Sequence, residues 1–351
     1  MPLEWSPERA FNPMNSQAKG LTYYEQMVRI LGWLDGKNDL PPPIEASLDP
    51  TPLCNNKCYY CSSNQYIGKD IGRRWGRDYL EEMISKLIQW GVKGLCWGGR
   101  ESTLNPNLAW ANRMAAQAGI ETAIVTNGVR IHDDLLESLL LCNWVGVSVD
   151  TTDPAIYKAV RGTDDCDKVW GNIERLGKGK TTTTVSARAL ILPETASGLY
   201  EVVKRAQASG CNFCLIRPAD LERKDLKIDR GELDVERTKE VLERCHELET
   251  PEFGVFTIFH KYADNFKVVH KFKRCLAAPL VYQVCADHRM YLCVDHRVDP
   301  KFEVKEWGGE QHRELMKSIV PDRDCSRCTW SGYNSIMEDV VIPNALGRNF
   351  P

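Results

Sequence analysis

The chain has 351 residues, 43% hydrophobic and 26% charged, ordinary soluble usage that supports one large domain and a smaller one. Its 45 basic and 48 acidic side chains leave a formal charge of −3. With no basic stripe, an extended nucleic-acid footprint is excluded, though a single nucleotide or another small substrate is not. No stretch approaches the roughly 18 apolar residues that cross a bilayer, and the first twenty residues hold no basic segment followed by an apolar one, so the expectation is a cytoplasmic protein without a signal peptide.

The spacing of apolar residues predicts a helix in TYYEQMVRILGWLDG, stopped near Gly36, with Pro41–Pro43 keeping the chain extended afterwards. From there strands and helices alternate. IEASLD, VKGLCW, ETAIVTNG, WVGVSVD, TTTTVSARALIL and NFCLIRP read as strands. Between them RDYLEEMISKLIQWG, LAWANRMAAQAG, DDLLESLLL, DPAIYKAV, VWGNIERLG and GLYEVVKRAQASG read as helices. Six strands alternating with helices predict a parallel sheet with helices outside. The charge-rich stretch over 221–250 predicts a linker running into an exposed helix, with a domain boundary near 225–235. Beyond it FGVFTIFHKY and RMYLCVDHR read as strands.

Fourteen cysteines are many for a reducing compartment, where clustered thiols signal metal or redox chemistry. Cys54, Cys58 and Cys61 stand in Pro52-Leu-Cys-Asn-Asn-Lys-Cys-Tyr-Tyr-Cys, after the first expected strand. Three thiolates can hold three irons of a 4Fe–4S cube and leave the fourth iron open to an exogenous ligand, as a catalytic metal site requires. Zinc also takes thiolates. A structural zinc site wants a fourth protein ligand, however, and no Cys or His lies within ten residues on either side.

CNNKCYYC resembles the signature of the radical SAM family, Cx3Cx2C with an aromatic residue before the last cysteine. The resemblance covers about residues 44–335, its specific motifs lying in the cofactor sites. It implies that Cys54, Cys58 and Cys61 hold a 4Fe–4S cluster whose open iron chelates S-adenosyl-L-methionine. An external one-electron donor such as flavodoxin or ferredoxin would reduce it, and the resulting 5′-deoxyadenosyl radical would take hydrogen from substrate. By the same resemblance Tyr60 lies beside the adenine. Gly98-Gly99-Arg100-Glu101 resembles the glycine-rich loop that receives the methionine amino group, with Arg100 interrupting the usual run and Ser102 in place of proline. Glu101 is the expected contact and Arg100 the alternative. Asn127, Ser148 and Arg188 complete the expected cofactor set. An arginine in a β-branched strand is costly to bury without a partner, which supports a ligand role for Arg188. Trp97 and Arg217, at strand ends, are the expected substrate contacts, Arg217 suiting a carboxylate or phosphate.

A second group comprises Cys275, Cys293, Cys325 and Cys328. Spacing alone leaves zinc and a second 4Fe–4S cluster open. Cys275-x17-Cys293 followed by Cys325-x2-Cys328 resembles the Twitch (SPASM-like) domain, which binds one auxiliary cluster, in the arrangement of the butirosin-type aminocyclitol dehydrogenases. His288 stands where that hairpin usually has glycine, and Cys285 is the alternative to Cys275 as ligand. Cys211 and Cys214 fall on an expected strand, where positions i and i+3 face opposite ways. They read as core, as do Cys96, Cys142, Cys166 and Cys245. His288 and His296 lie near the second cysteine group.

The resulting expectation is an α/β protein. A helical lead-in (1–43) precedes a partial (β/α)6 TIM-type barrel (44–225), followed by a helical linker (226–253), an α+β Twitch domain (254–338) and a tail (339–351). The expected function is radical chemistry on a small polar metabolite such as a sugar, aminocyclitol or nucleoside. Peptide modification is the second reading, and a non-catalytic zinc- or iron–sulfur-binding protein the reading of another class.

Overall fold

A computed structural model describes residues 22–61, 72–219, 233–259 and 261–345. The beginning of the expected lead-in, the first half of the charge-rich stretch and the end of the tail lie outside the described residues.

The apolar periodicity and the glycine stops translate into α1 (Tyr24–Leu34), β1 (Glu45–Leu48), α2 (Arg77–Trp90), β2 (Gly94–Trp97), α3 (Leu108–Gln117), β3 (Glu121–Thr126), α4 (Asp133–Leu139) and β4 (Trp144–Ser148). They continue as α5 (Pro154–Arg161), α6 (Cys166–Gly179), β5 (Thr184–Ile191), α7 (Leu199–Ala208) and β6 (Phe213–Pro218). α2 ends because Gly91 takes φ +68°, a left-handed cap that costs glycine nothing. α5 begins because the Asp153 carboxylate accepts from the N–H groups of Ala155 and Ile156 at 2.7 and 3.0 Å, with Pro154 in the first turn.

β1 to β6 pair in sequence order and in parallel. The sheet does not stop at six strands. α8 (Val235–His246) crosses over and β7 (Gly254–Thr257) pairs in parallel with β6. The segment expected as linker and second-domain start thus extends the barrel's own sheet. On the other side β8 (Val281–Val284) pairs in parallel with β1. It leads into the antiparallel strands β9 (Met290–Tyr291) and β10 (Glu303–Val304). The described strands therefore form one sheet in the order β10-β9-β8-β1-β2-β3-β4-β5-β6-β7. β8 was not foreseen: its four residues are all buried and show no alternation to mark a strand.

Helices α2 to α7 cover the outer face of the parallel strands. Leu80, Ile84 and Leu87 of α2 and Val169, Ile173 and Leu176 of α6 belong to this main core. The C-terminal region adds α9 (Glu310–Ser318), α10 (Pro321–Asp324) and α11 (Ser331–Ile336). Its apolar side chains gather around α1: Met27 and Ile30 pack with Leu276 and Met337, and Trp33 packs with Phe302, Met316 and Ile319. The lead-in helix is thus a structural part of the C-terminal region. Trp33 Nε1 fixes it further by donating to the Gly308 carbonyl at 2.9 Å.

Candidate active site and a second thiol site

The carboxyl ends of β1 to β6 converge on a cavity of about 310 Å³, at the end of the sheet where ligands of parallel α/β folds bind. Cys54, Cys58 and Cys61 line it from the loop after β1. All three thiols are partly exposed. The Asn56 N–H points to Cys54 Sγ at 3.4 Å and Asn127 Nδ2 approaches it at 3.9 Å, contacts of the kind that tune cluster sulfurs. Burial pushes the Cys54 thiol up to about 11 and raises Cys58 as well.

The loop is held to the neighbouring strands by a buried polar network. Asp150, just past β4, takes φ +65°, a conformation costly for a residue with a side chain. Its Oδ1 accepts from Leu190 N at 3.0 Å, and its Oδ2 meets both the Tyr60 hydroxyl and Arg161 Nη2, the latter at 2.7 Å. The Arg161 carbonyl in turn accepts from Lys57 N at 2.8 Å. Tyr60 therefore lines the cavity with its phenol tied to β4, and the cysteine loop is clamped on both sides of Cys58. Asp150 and Arg161 were not singled out in the sequence as site residues. The strand ending Val-Ser-Val-Asp carried a signal for the first; nothing local marked the second.

Gly98, Gly99, Arg100 and Glu101 follow β2 into the cavity wall. Gly99 has φ +87°, and a Cβ there would lie 2.7 Å from the Asp49 side chain, so only glycine fits. Glu101 is buried. Its Oε1 accepts from Thr103 N, Thr103 Oγ1 and Thr126 Oγ1 at 3.3, 2.6 and 2.6 Å, and its Oε2 accepts from Asn127 N at 2.7 Å. Burial raises its carboxyl against the pull of these bonds. The carboxylate ties the β2 loop to the end of β3, and Oε2 keeps one lone-pair direction for a further donor. Arg100 lines the same wall, its buried Nε without a hydrogen-bond partner.

Ser148 and Arg188 are register partners on β4 and β5, and both line the cavity. Arg188 lies over the Trp144 ring, 5.3 Å from its centre. Gly146 makes this possible, because a Cβ there would sit 2.8 Å from Arg188 Cδ and 2.6 Å from the Trp144 ring. Burial first, and then Arg217, lowers the Arg188 guanidinium to about 10. Arg217 reaches the cavity from β6.

Trp97 does not. Strand alternation sends Leu95 and Trp97 to the helix-covered face and Cys96 to the interior. Trp97 is fully buried, and its Nε1 donates to Asn112 Oδ1 on α3 at 2.9 Å. The expectation of a substrate contact at Trp97 is therefore corrected. The interior position belongs to Cys96, expected as core, which lines the cavity and whose thiol burial pushes up to about 12.

Cys275, Cys293, Cys325 and Cys328 line a second, smaller cavity of about 20 Å³. Donors surround the thiols. Asp295 N and Asn334 Nδ2 each lie 3.5 Å from a sulfur, of Cys293 and Cys328 respectively, and His296 Nε2 is 3.4 Å from Cys325. Burial pushes Cys275 up to about 11 and Cys325 to about 12, and raises Cys293 and Cys328 further. Among the described residues no three Cys, His, Asp or Glu side chains converge closely enough to hold a single ion. Cys285 lies elsewhere, fully buried at the end of β8, its thiol beside Asp49 and Gln283. His288 takes φ +65° in the β8–β9 turn and stacks on Tyr79 at 4.1 Å, a packing gain that offsets the strain of a position usually given to glycine. Cys211 lies in the turn before β6, not on the strand; it and Cys214 are buried in the main core, as are Cys142, Cys166 and Cys245.

The two cavities share a wall. Arg327, between Cys325 and Cys328, lines both. Its Nε pairs with Asp295 at 2.6 Å, and Asp295 also accepts from Thr329 N and Oγ1 at 2.6 and 2.9 Å. Although burial works to raise it, these partners hold the Asp295 carboxyl down at about 2. Arg297 reaches the first cavity from the chain after Cys293 and pairs with Asp49 at 2.9 Å.

Residues 48–206 match the Radical SAM superfamily. They form a radical SAM domain. The chain is 28% identical over 199 residues to a probable GTP 3′,8-cyclase from Methanococcus vannielii, covering 55% of this chain and 65% of that one. It is 27% identical over 148 residues to an S-adenosylmethionine-dependent nucleotide dehydratase from Lacinutrix mariniflava, covering 38% and 30%. It spans less than two thirds of the length of either relative. Among solved structures, Streptococcus suis SuiB bound to the precursor peptide SuiA superposes with a TM-score of 0.63 at 14% identity, covering 90% of this chain and 75% of that one. At that identity the likeness speaks for the fold, a mixed α/β arrangement of the partial-barrel type, shared beyond the radical SAM domain itself.

Proposed function

We propose that the protein is a radical SAM enzyme acting on a small polar metabolite, with an auxiliary 4Fe–4S cluster in its C-terminal region. The observation that carries the first part is the cavity itself. Three thiols, the Gly98–Glu101 loop, Asn127, Ser148 and Arg188 come from successive strand ends and line one space. The donor set fits the cofactors: soft thiolates for iron, with a sulfur-directed N–H already in place, and a held carboxylate edge on Glu101 for an ammonium. When bound, the cluster and S-adenosylmethionine supply a one-electron cleavage that generates a hydrogen-abstracting 5′-deoxyadenosyl radical.

The chain's own residues have distinct tasks in this reading. Cys54, Cys58 and Cys61 hold the cluster. Tyr60, fixed by Asp150, shapes the wall beside the loop. Glu101 Oε2 and Arg100 are the polar groups offered at the β2 loop, and Ser148 and Arg188 those offered at β4 and β5. Cys275, Cys293, Cys325 and Cys328 form the second donor set, whose thiols burial keeps protonated until a metal displaces the protons. The similarity to enzymes named for nucleotide substrates supports a small-molecule substrate. Peptide modification is kept as the second reading because the SuiB fold extends over most of this chain.

Anaerobic reconstitution with iron and sulfide, followed by dithionite and S-adenosylmethionine, tests the proposal. The expected result is a brown protein that releases 5′-deoxyadenosine and carries about eight irons, four per cluster. A colourless zinc protein with no adenosyl product would overturn it, and four irons with an active cleavage reaction would remove the auxiliary cluster alone.

A further inference from the structure

We propose that Arg297 is a positioning residue: through Asp49 and Ser47 it sets the Gly98–Gly99 loop of the first cavity, and it thereby couples S-adenosylmethionine affinity to metal binding at the second thiol site. Such a link rests on the radical SAM reading and joins its two sites. One short segment belongs to both. It opens with Cys293, makes a single 3₁₀ turn (Val294–His296) and ends with Arg297. On one side the turn is fastened to the second site. Asp295 N lies 3.5 Å from Cys293 Sγ, and the Asp295 carboxylate holds Arg327 and Thr329, which flank Cys328. His296 stacks on Phe302 at 3.6 Å, and its Nε2 is 3.4 Å from Cys325 Sγ. On the other side Arg297 enters the first cavity. Its Nη1 donates to the Val294 carbonyl at 2.8 Å, which braces the side chain against its own turn. Its Nε pairs with Asp49 at 2.9 Å, and its Nη2 donates to Ser47 Oγ at 3.4 Å.

The Gly98–Gly99 loop lies directly on this cluster. Gly98 N donates to the Leu48 carbonyl at 2.9 Å, between the two buried side chains Ser47 and Asp49. A Cβ on Gly98 would stand 3.1 Å from Arg297 Nη2 and 3.2 Å from both Asp49 Oδ1 and Ser47 Oγ, and one on Gly99 would stand 2.7 Å from the Asp49 side chain. With no slack between the ion pair and the loop, a movement of either charged group is passed to the loop backbone, because close-packed interiors transmit strain. A buried ion pair is a weak source of stability, since desolvation of both charges offsets most of their attraction. What this one does is hold the turn after Cys293 in register with the end of β1. The thiols of the second site do not converge on one point among the described residues. A metal must therefore draw Cys293 inward, and the turn and Arg297 are carried with it. A link of this kind acts equally in both directions, so S-adenosylmethionine would favour the metal-bound second site as that site favours S-adenosylmethionine.

The test titrates S-adenosylmethionine anaerobically, by calorimetry, into the reconstituted full-length protein. Four forms are compared: unmutated, Cys293→Ala, Arg297→Met and the double variant, with iron counted in each. Cys293→Ala and Arg297→Met should each raise the Kd at least about fivefold. Arg297→Lys, which keeps the charge, should lose less than Arg297→Met, and the exposed Arg289→Gln should lose nothing. The double variant should bind within about twofold of the weaker single variant, because both changes cut the same link. Two merely structural losses would multiply instead. Cys293→Ala binding within about twofold of the unmutated protein after losing its second set of irons, Arg297→Met doing the same, or a double variant whose loss is the product of the single losses would each overturn the proposal. Where Arg297→Met itself loses iron, Asp49→Asn at the end of β1 takes its place in the cycle. An unmutated protein that takes up no iron at the second site, or forms no 5′-deoxyadenosine, would instead strike the function proposed above, so the two failures are read separately.

Discussion

The two thiol sites hang on one continuous sheet, yet they are enclosed in different ways. Cys54, Cys58 and Cys61 stand at the rim of a cavity of about 310 Å³, whereas Cys275, Cys293, Cys325 and Cys328 close around about 20 Å³. Three donors with space beside them leave a metal position open to a ligand. Four donors without such space would, in the function proposed above, complete a coordination shell once a metal draws them together. The first loop is built by strand ends and a buried ion pair, the second by short helices, a hairpin and the Asp295 hub. What separates the sites chemically is therefore the number of donors and the room next to them, since burial raises Cys54 and Cys58 in the first as it raises the four thiols of the second.

The sharpest way to break this comparison is to delete one thiol from each site. Cys58→Ala should abolish 5′-deoxyadenosine release, a loss of at least about a thousandfold, because removing a ligand from the open site removes the cleavage chemistry itself. Cys293→Ala should lose about half of the roughly eight irons while S-adenosylmethionine cleavage persists above the Cys58→Ala level. Iron counting together with chromatographic quantification of 5′-deoxyadenosine distinguishes them. If Cys293→Ala is as inactive as Cys58→Ala with its first cluster intact, the division of labour between the sites is wrong.

A smaller effect is expected where the first loop is clamped. Asp150 and Arg161 form a buried pair, and removing one partner leaves the other charged and unpaired. Asp150→Asn should then cost about 3–5 kcal/mol, read as a shifted midpoint in urea. An exposed ion pair has no such burial to lose, so the same substitution at Asp164, whose side chain is 74% exposed in its pair with Lys158, should stay within about 1 kcal/mol.

The two regions also differed in how far the sequence disclosed them. In the barrel, glycine stops and alternating strands placed six strands and their helices close to where they stand, because each element buries one face and carries its own caps. The cysteine loop and the Gly98–Glu101 turn were legible for the same reason: their residues are neighbours in the chain. The C-terminal region depends on partners far away. β8 is buried along its whole length beside β1, so its four residues show no period, and its pairing is what places the region against the barrel. α8 reads as an exposed helix whether it is a linker or a crossover. The arginines that cross into the first cavity, Arg297 and Arg327, are set there by Asp49 and Asp295, contacts that no local spacing encodes.

Trp97 shows the limit at a single residue and gives the mildest test. A tryptophan at a strand end facing a presumed active site is chemically attractive as a substrate contact, but strand parity decides, and a register error of one residue exchanges the two faces. Cys96 took the interior and Trp97 the helix side, where Asn112 receives its Nε1 proton and itself donates to the Ser138 carbonyl at 2.8 Å. Trp97→Phe keeps most of the apolar contact and deletes one neutral buried hydrogen bond, which should cost about 1–3 kcal/mol because the Asn112 oxygen loses a partner. Cys142 Sγ, 3.5 Å from the same oxygen, should keep the loss near the lower end, since a weak S–H donor remains. S-adenosylmethionine affinity, measured by calorimetry on the reconstituted protein, should not change, whereas a contact residue of the cavity would move affinity and stability together. A fall in affinity beyond about threefold, roughly 0.7 kcal/mol, would return Trp97 to the site from which strand parity removes it.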